Sequence, residues 1–209
     1  APSSGHTTEQ KPVYDFFKRI FDIICSSAAL IILSPVFLIL AAAIKTTDKG
    51  PVFFTHRRVG KDGKPLNIYK FRSMVTNAED LIKQFTPEQK AEYERNFKLE
   101  DDPRVTKVGK FMRRTSLDEL PQLFNILKGD ISIVGPRPVM EVETEIYRDM
   151  LLSVKPGLTG FWAANGRSCT TYTRRRAMEI CYIKNRSVCF DLKIILKTIT
   201  SVFKGEGAV

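Results

Sequence analysis

The sequence predicts an α/β (α+β) fold: one helix-rich domain with short strands, built around a single broken apolar helix. Three observations carry this. Amphipathic helical periodicity dominates from Asn77 onward, β-formers occur in short runs bounded by turns, and one long apolar stretch, Ile20 to Ile44, is interrupted by Ser34-Pro35.

The 209 residues suffice for one substantial domain. With 43% hydrophobic and 27% charged residues, most of the chain is expected to fold. Its 33 Lys and Arg against 23 Asp and Glu leave a net charge of +10, which attracts nucleic acid, anionic lipid or phosphorylated substrates alike. Cys25, Cys169, Cys181 and Cys189 form no CxxC pair. That argues against a zinc knuckle and for reduced, mostly buried thiols in a cytosolic compartment. Residues Ala1 to Gln10 are polar and aperiodic, and are set aside as a disordered tail or a remnant foreign to the fold. One of the two histidines, His6, lies there, so a histidine base would have to be His56. Catalysis is therefore expected from carboxylates.

Ile20 to Ile44 carries one charge, Asp22, and as a straight helix would reach ~37 Å. That length crosses a bilayer. Pro35 in its middle predicts a kink. Lys11, Lys18 and Arg19 precede the run, and Lys45, Lys49, Arg57 and Arg58 follow it. Basic residues at both ends are best satisfied if both ends face the cytoplasm, which favours a re-entrant hairpin. Proline is tolerated in spanning helices, so from these residues alone a simple crossing stays open.

Val52-Phe53-Phe54 and Leu66 to Phe71 read as two strands of a hairpin, with His56, Arg57, Arg58, Lys70 and Arg72 as a basic, solvated face. Two helices are expected between Asn77 and Leu99, the second capped by Thr86-Pro87-Glu88-Gln89. Phe111 to Leu127 reads as one amphipathic helix with Ser116 and Glu119 as a capping box, or with its start shifted to Asp118 because of Pro121. Ile131 to Val134 reads as a strand and Glu141 to Leu152 as a helix. Trp162 beside Phe161 suits a membrane interface, a substrate wall or the core. A helix opens at Arg174-Arg175-Arg176. Phe190 to Lys204 places Phe190, Ile194, Ile195, Ile199, Val202 and Phe203 in one apolar arc opposite Lys193, Lys197 and Lys204. Such a helix either lies on an anionic membrane or packs on the core.

The most informative stretch is RRTSLDELPQLFNILKGDISIVGPRP, Arg113 to Pro138. Asp118 and Glu119 in a first helical turn are ordinary helix-start chemistry when taken alone. Arg113 and a proline-bracketed Arg137 change their context, because a rigidly held guanidinium binds phosphate through two parallel hydrogen bonds. Adjacent carboxylates can divide labour, one attacking phosphorus and one holding a metal or moving a proton. A diphosphate substrate adds charge that calls for a divalent cation, and Mg²⁺ takes one or two carboxylates plus phosphate oxygens.

The succession KR…SP, PVFFTHRRVGKDGKPLNIYKFRSM, DDPRVTKVGKFMRRTSLDELPQLFNILKGDISIVGPRP and KPGLTGFWAANGR resembles the bacterial sugar transferase family over about Lys11 to Lys204. These are monotopic phosphoglycosyl transferases of the inner membrane, working at its cytoplasmic face. The resemblance implies that a sugar 1-phosphate passes from a UDP-sugar to undecaprenyl phosphate with release of UMP, as a first membrane step of capsule, exopolysaccharide, O-antigen or glycoprotein synthesis. It implies that Asp118 attacks phosphorus, that Glu119, with Asp118, is associated with Mg²⁺, and that Arg113 and Arg137 bind phosphate, with Lys70 and Arg72 as further candidates. It matches Lys18, Arg19, Ser34 and Pro35 to a re-entrant helix, which decides the topology in favour of the hairpin. The expected organisation is a tail over 1–10, a membrane hairpin over 11–48 and a cytoplasmic catalytic region with interfacial helices over 49–209. A homodimer is left open, as is the sugar. The Arg174-Arg175-Arg176 triplet departs from the acidic character that relatives often show there.

A basic module that binds nucleic acid or membrane without catalysis would suit the charge. A soluble nucleic-acid binder, however, gains nothing from the broken apolar run, and no nucleic-acid motif is recognisable. A polytopic transferase fragment would need more than one long apolar stretch.

Overall fold

A computed structural model describes residues 9–96, 99, 101–140, 148–166 and 171–204, without the side chains of 95–96 and 202–204. The tail over 1–8, the first half of the helix expected from Glu141, Arg167, Cys169 and the outermost apolar side chains of the last helix, Val202 and Phe203, lie outside the described residues.

The apolar run forms two helices, α1 (Pro12–Ile32) and α2 (Ser34–Asp48), bent by 60° about Leu33. The chemistry of the bend is local. Pro35 has no N–H to give to the Ile31 carbonyl, and the Ser34 hydroxyl donates to that oxygen instead, at 2.8 Å. No single described helix is long and apolar enough to cross a membrane, whereas the bent pair together is, by length and composition.

Strands β1 (Phe53–Val59) and β2 (Pro65–Phe71) pair antiparallel, with Phe53 opposite Phe71 and Val59 opposite Pro65. The hairpin is the expected one, but its first strand continues through the basic residues to Val59. Charge does not end a strand whose ladder partner is present. A short 3₁₀ turn, Lys61–Gly63, closes it. Helices α3 (Ala78–Ile82) and α4 (Pro87–Asn96) follow. The capping box at Thr86 is reciprocal: the Thr86 N–H reaches Gln89 Oε1 at 3.0 Å, and the Gln89 N–H reaches Thr86 Oγ1 at 3.3 Å.

The single helix expected over Phe111 to Leu127 is two, α5 (Lys107–Thr115) and α6 (Gln122–Lys128), separated by a 3₁₀ turn at Leu117–Glu119. Ser116 is not a helix start. It closes α5 in the left-handed region at φ 57°, and its N–H returns to the Arg113 carbonyl at 3.2 Å. Pro121, which lacks a donor, opens α6. Strand β3 (Ser132–Val134) is parallel to β4 (Gly157–Thr159), with α7 (Arg148–Leu152) between them. Strand β4 had no signal in the sequence. It forms because two backbones meet without side chains: a Cβ on Gly157 would lie 2.1 Å from the Gly135 nitrogen, and one on Gly135 would lie 2.6 Å from the Gly157 nitrogen. A 3₁₀ turn at Ala163–Asn165 then leads to α8 (Tyr172–Asn185) and α9 (Val188–Lys204). Cys181 and Cys189 are exposed rather than buried, because α8 and α9 turn Tyr182, Ile183 and Ile194 inward instead.

Three clusters make the core. Val134, Leu151, Tyr182, Ile183 and Ile194 join β3, α7, α8 and α9. Leu66, Ile68, Ile126 and Ile131 join the hairpin, α6 and the residue preceding β3, and Ala29, Leu30 and Leu33 of α1 pack on them. Phe71 and Met112 form the third with Leu40 and Ile44 of α2. Both membrane-type helices thus share core with the later residues. The opposite faces of α1 and α2 stay open, with Phe16, Ile24, Ile31, Leu38 and Ile39 exposed.

The α6–β2 contact turns on Asn125, which is fully buried. Its side chain pairs with the strand edge as another strand would: Oδ1 accepts from the Tyr69 N–H at 2.9 Å, and Nδ2 donates to the Asn67 carbonyl at 2.7 Å. Asn125→Ala strands both backbone groups and is expected to cost about 3 kcal/mol. Thermal unfolding of detergent-solubilised protein would register this as a clear drop in midpoint; an unchanged midpoint would refute the assigned role.

Candidate active site

The dyad sits on the 3₁₀ turn rather than at an α-helix N-terminus. Leu117 and Leu120, three residues apart, stand on one side of that turn and pack into the α2 cluster. Asp118 and Glu119 between them are left for the other side. Strand alternation supplies the facing wall. Leu66 and Ile68 are buried, and Lys70 follows on the same face of β2. Its ammonium lies 2.9 Å from Glu119 Oε1 and 3.8 Å from Asp118 Oδ2. Across the hairpin, Phe54, His56 and Arg58 stand opposite Lys70, Ile68 and Leu66. His56, Arg58, Ile68 and Lys70 therefore line one side of a cleft of about 720 Å³.

The opposite side comes from the second half of the chain. Gly135-Pro136-Arg137-Pro138, Gly157 to Ala163, Glu179 and Tyr182 line it, and Glu119 and Gln122 join the lining from the dyad turn and α6. An antiparallel bridge between Val59 and Val139 holds the two sides together. Trp162 is flanked by two guanidiniums, with Arg137 5.6 Å and Arg175 5.0 Å from its ring. Glu179, 2% exposed, organises this side. Its carboxylate accepts from the Arg137 N–H at 3.2 Å, from Arg175 Nε at 3.3 Å and from Arg176 Nη1 at 2.6 Å.

The electrostatics follow from this packing. Burial raises the pKa of Asp118 above the ordinary carboxylate range; Glu119 adds to the rise, and Lys70 and Arg113 oppose it. His56 is pulled down to about 4 by burial and by Arg58, Lys70 and Arg137, so it is neutral at pH 7. An uncharged imidazole among three cations is a poor general base and a usable hydrogen-bond partner.

Of the residues singled out in the sequence, Glu119, Lys70 and Arg137 line the cleft, and Asp118 is not among its lining residues but has its Oδ2 3.8 Å from the Lys70 ammonium. Arg113 is held by the Ser73 hydroxyl at 2.9 Å, within electrostatic reach of Asp118. Arg72 is not brought to the cleft. Strand β2 ends at Phe71, so alternation stops there, and the Arg72 guanidinium pairs with Asp48 at the end of α2. Lys18 and Arg19 bind protein groups, the Asp191 carboxylate at 2.5 Å and the Ile126 and Leu127 carbonyls at 2.6 and 2.7 Å. Ser34 and Pro35 make the bend. His56, Arg58 and Glu179 were absent from the sequence-derived site. For the first two the signal was there: continuing the β1 alternation past Phe54 puts both on the Lys70 face. For Glu179 no local pattern existed.

The profile of the bacterial sugar transferase family matches residues 13–205. The chain belongs to the bacterial sugar transferase family. A relative from Salmonella typhimurium, an undecaprenyl-phosphate galactose phosphotransferase, is 47% identical over 92% of this chain and 42% of its own length. A UDP-glucose:undecaprenyl-phosphate glucose-1-phosphate transferase from Klebsiella pneumoniae is 46% identical over 92% of this chain and 41% of its own. The exopolysaccharide production protein ExoY of Sinorhizobium fredii is 43% identical, over 95% of this chain and 90% of its own. The chain thus spans about two-fifths of the first two relatives and nearly all of the third.

Glu179 is the sole carboxylate shown bonding to Arg175 and Arg176 among the described residues. Glu179→Gln removes the buried charge to which both guanidiniums bond and is expected to destabilise the protein by about 3 kcal/mol, with Glu179→Asp milder. Thermal unfolding of the two variants side by side measures this; equal stability of Glu179→Gln and the parent would remove Glu179 from the centre of this wall.

Proposed function

We propose that this protein transfers a sugar 1-phosphate from a UDP-sugar to undecaprenyl phosphate and releases UMP, at the cytoplasmic face of the inner membrane. The observation that carries the reading is a partly buried carboxylate pair that shares the Lys70 ammonium, with Glu119, Lys70 and Arg137 lining one cleft and Arg113 within electrostatic reach of Asp118. The names of the relatives point to the same donor and acceptor chemistry.

In this reading an Asp118 carboxylate oxygen attacks the β-phosphorus of the donor. The bond from that phosphorus to the bridging oxygen breaks, and the oxygen leaves with UMP. A phosphate oxygen of the carrier then attacks the same phosphorus and displaces the Asp118 carboxylate. Arg137, its backbone tied to Glu179, presents its guanidinium to the diphosphate. Trp162 offers a flat apolar face to the uracil or sugar ring. Lys70, bonded to Glu119 and 3.8 Å from Asp118, favours the ionised form of Asp118. Among the described residues no group of three His, Cys, Asp or Glu side chains could hold a metal by itself. The dyad alone fits Mg²⁺, which takes one or two carboxylates with phosphate oxygens and water. Asp118 and Glu119 would hold it, and when bound it neutralises charge on the diphosphate.

The exposed apolar faces of α1 and α2 suit lipid, and the bend lets both ends return to one side. Helix α9 adds a second outward apolar row, Val188, Leu192, Leu196 and Ile199, behind the core-facing Ile194. A carrier whose phosphate lies at the surface and whose chain lies in lipid can then reach the dyad.

UMP release from a panel of UDP-sugars, with detergent-solubilised protein, undecaprenyl phosphate and Mg²⁺, tests the reaction. One donor is expected to respond, and EDTA to stop it. Silence across the panel from folded protein would remove the proposal. Asp118→Asn, nearly isosteric, is expected to lower turnover at least a thousandfold, about 4 kcal/mol of barrier, with folding intact. The pH profile gives an independent check. Asp118 attacks only when ionised, and its pKa is raised, so activity fails on acidification at a higher pH than an ordinary carboxylate would dictate. Lys70→Gln removes a cation that lowers that pKa, and should move the acid limb of kcat/KM further up; a limb that stays in place would exclude Asp118 as the titrating group.

A further inference from the structure

A second cavity, of about 1390 Å³, lies between the first turns of α1, the β1–β2 turn, β3, the segment before β4 and the end of α8. It shares only Tyr182 with the cleft described above. Five basic and three acidic side chains line it. Its floor holds two donors that lack an acceptor among the described residues. The Ser132 hydroxyl, on a residue 1% exposed, has no hydrogen-bond partner, and neither has Nε of Arg186, which is 5% exposed. Buried polar groups are rarely left this way, because an unmet donor has lost its water without gaining an acceptor. At the rim the cations crowd. Burial, Arg19 and Lys61 push the pKa of Lys155 down, against the attraction of Asp22 and Asp130. Orphaned donors below and mutually repelling cations above lack the same thing, an anion with several acceptor oxygens.

We propose that this cavity is a second anion site, taking a phosphate group bound by Ser132, Arg186, Lys155 and Lys61. A tetrahedral phosphate offers acceptors in several directions at once, which suits a hydroxyl, a guanidinium and two ammoniums contributed to one cavity by different elements. The phosphate comes either from a phospholipid headgroup or from a soluble phosphorylated molecule. The site does not depend on the reaction proposed for the cleft. Of its four ligands, none belongs to that cleft.

The test uses the full chain in phosphorus-free detergent and titrates inorganic phosphate by ³¹P line broadening. Phosphate bound at the cleft contributes equally to all samples, so the comparison is between variants. Lys61→Gln/Lys155→Gln is expected to weaken the second binding phase about tenfold or more, and Ser132→Ala about tenfold, with unchanged thermal unfolding. Ser132→Ala keeps every charge and nearly the same shape, so it stands as the decisive variant if the double variant unfolds. Titrations indistinguishable from the parent in both would overturn the site and leave a hydrated cavity. A second arm places the parent in nanodiscs of phosphatidylcholine alone or with phosphatidylglycerol. Loss of the second phosphate phase only with phosphatidylglycerol assigns the site to the lipid headgroup, and its persistence in both assigns it to a soluble phosphate.

Discussion

The polar stripe of α1 is the constraint on which the rest of the molecule depends. Tyr14, Lys18 and Asp22 recur every four residues along one face of a helix whose other face is apolar and exposed, with Arg19 beside them. Charges on a helix that sits against lipid must be satisfied within the protein. Here they find partners in three other elements. Tyr14 and Lys18 reach Asp191 of α9, Arg19 caps the last carbonyls of α6, and Asp22 accepts from the Ile133 N–H of β3 at 3.0 Å. Tyr182 closes the network with its own hydrogen bond to Asp191 at 2.8 Å. These bonds set the rotation and height of α1. Through the bend they also set where α2 lands.

Where α2 lands decides the chemistry. Leu40 and Ile44 pack with Phe71 and Met112, and Leu117 and Leu120 pack on the same cluster. The carboxylates between those leucines are therefore oriented by a helix of the apolar hairpin. The turn that carries the dyad and the helix with the exposed apolar face share one core, so the dyad cannot drift relative to that face. The second wall is built independently, from Glu179 and the close crossing of Gly135 and Gly157. The cleft is the seam between two separately stabilised halves. One half holds the nucleophile candidate and its cation, the other the arginine and the aromatic.

Features written in neighbouring residues could be read directly. The Thr86 cap, the β1–β2 hairpin, the Pro35 kink and the nearness of Asp118 to Glu119 each depend on a few adjacent positions, and each appears in the structure. Readings that assumed continuity failed. Phe111 to Leu127 keeps amphipathic spacing, yet Ser116 enters the left-handed region and splits it, and the 3₁₀ turn that follows puts Leu117 and Leu120 on one cluster. The arginine triplet, which looked anomalous as a surface run, is in large part internal. Arg175 and Arg176 neutralise a buried glutamate three to four residues further along α8, and Arg175 braces Trp162.

The sequence alone determined that the chain is a helix-rich α+β protein with one broken apolar helix and a carboxylate pair among cations. Those properties follow from periodicity, from proline and from residue type over short windows. Only the tertiary structure decided which cations face the pair. Lys70 and Arg137 were brought to the cleft and Arg72 was not, because a strand ended one residue earlier than alternation required. It also decided that His56, Arg58 and Glu179 join the site, that β3 and β4 meet at all, and that the charges of α1 point into the protein. Apart from His56 and Arg58, which the hairpin register brings in, each of these rests on partners tens of residues or more apart along the chain, where no local pattern records the pairing.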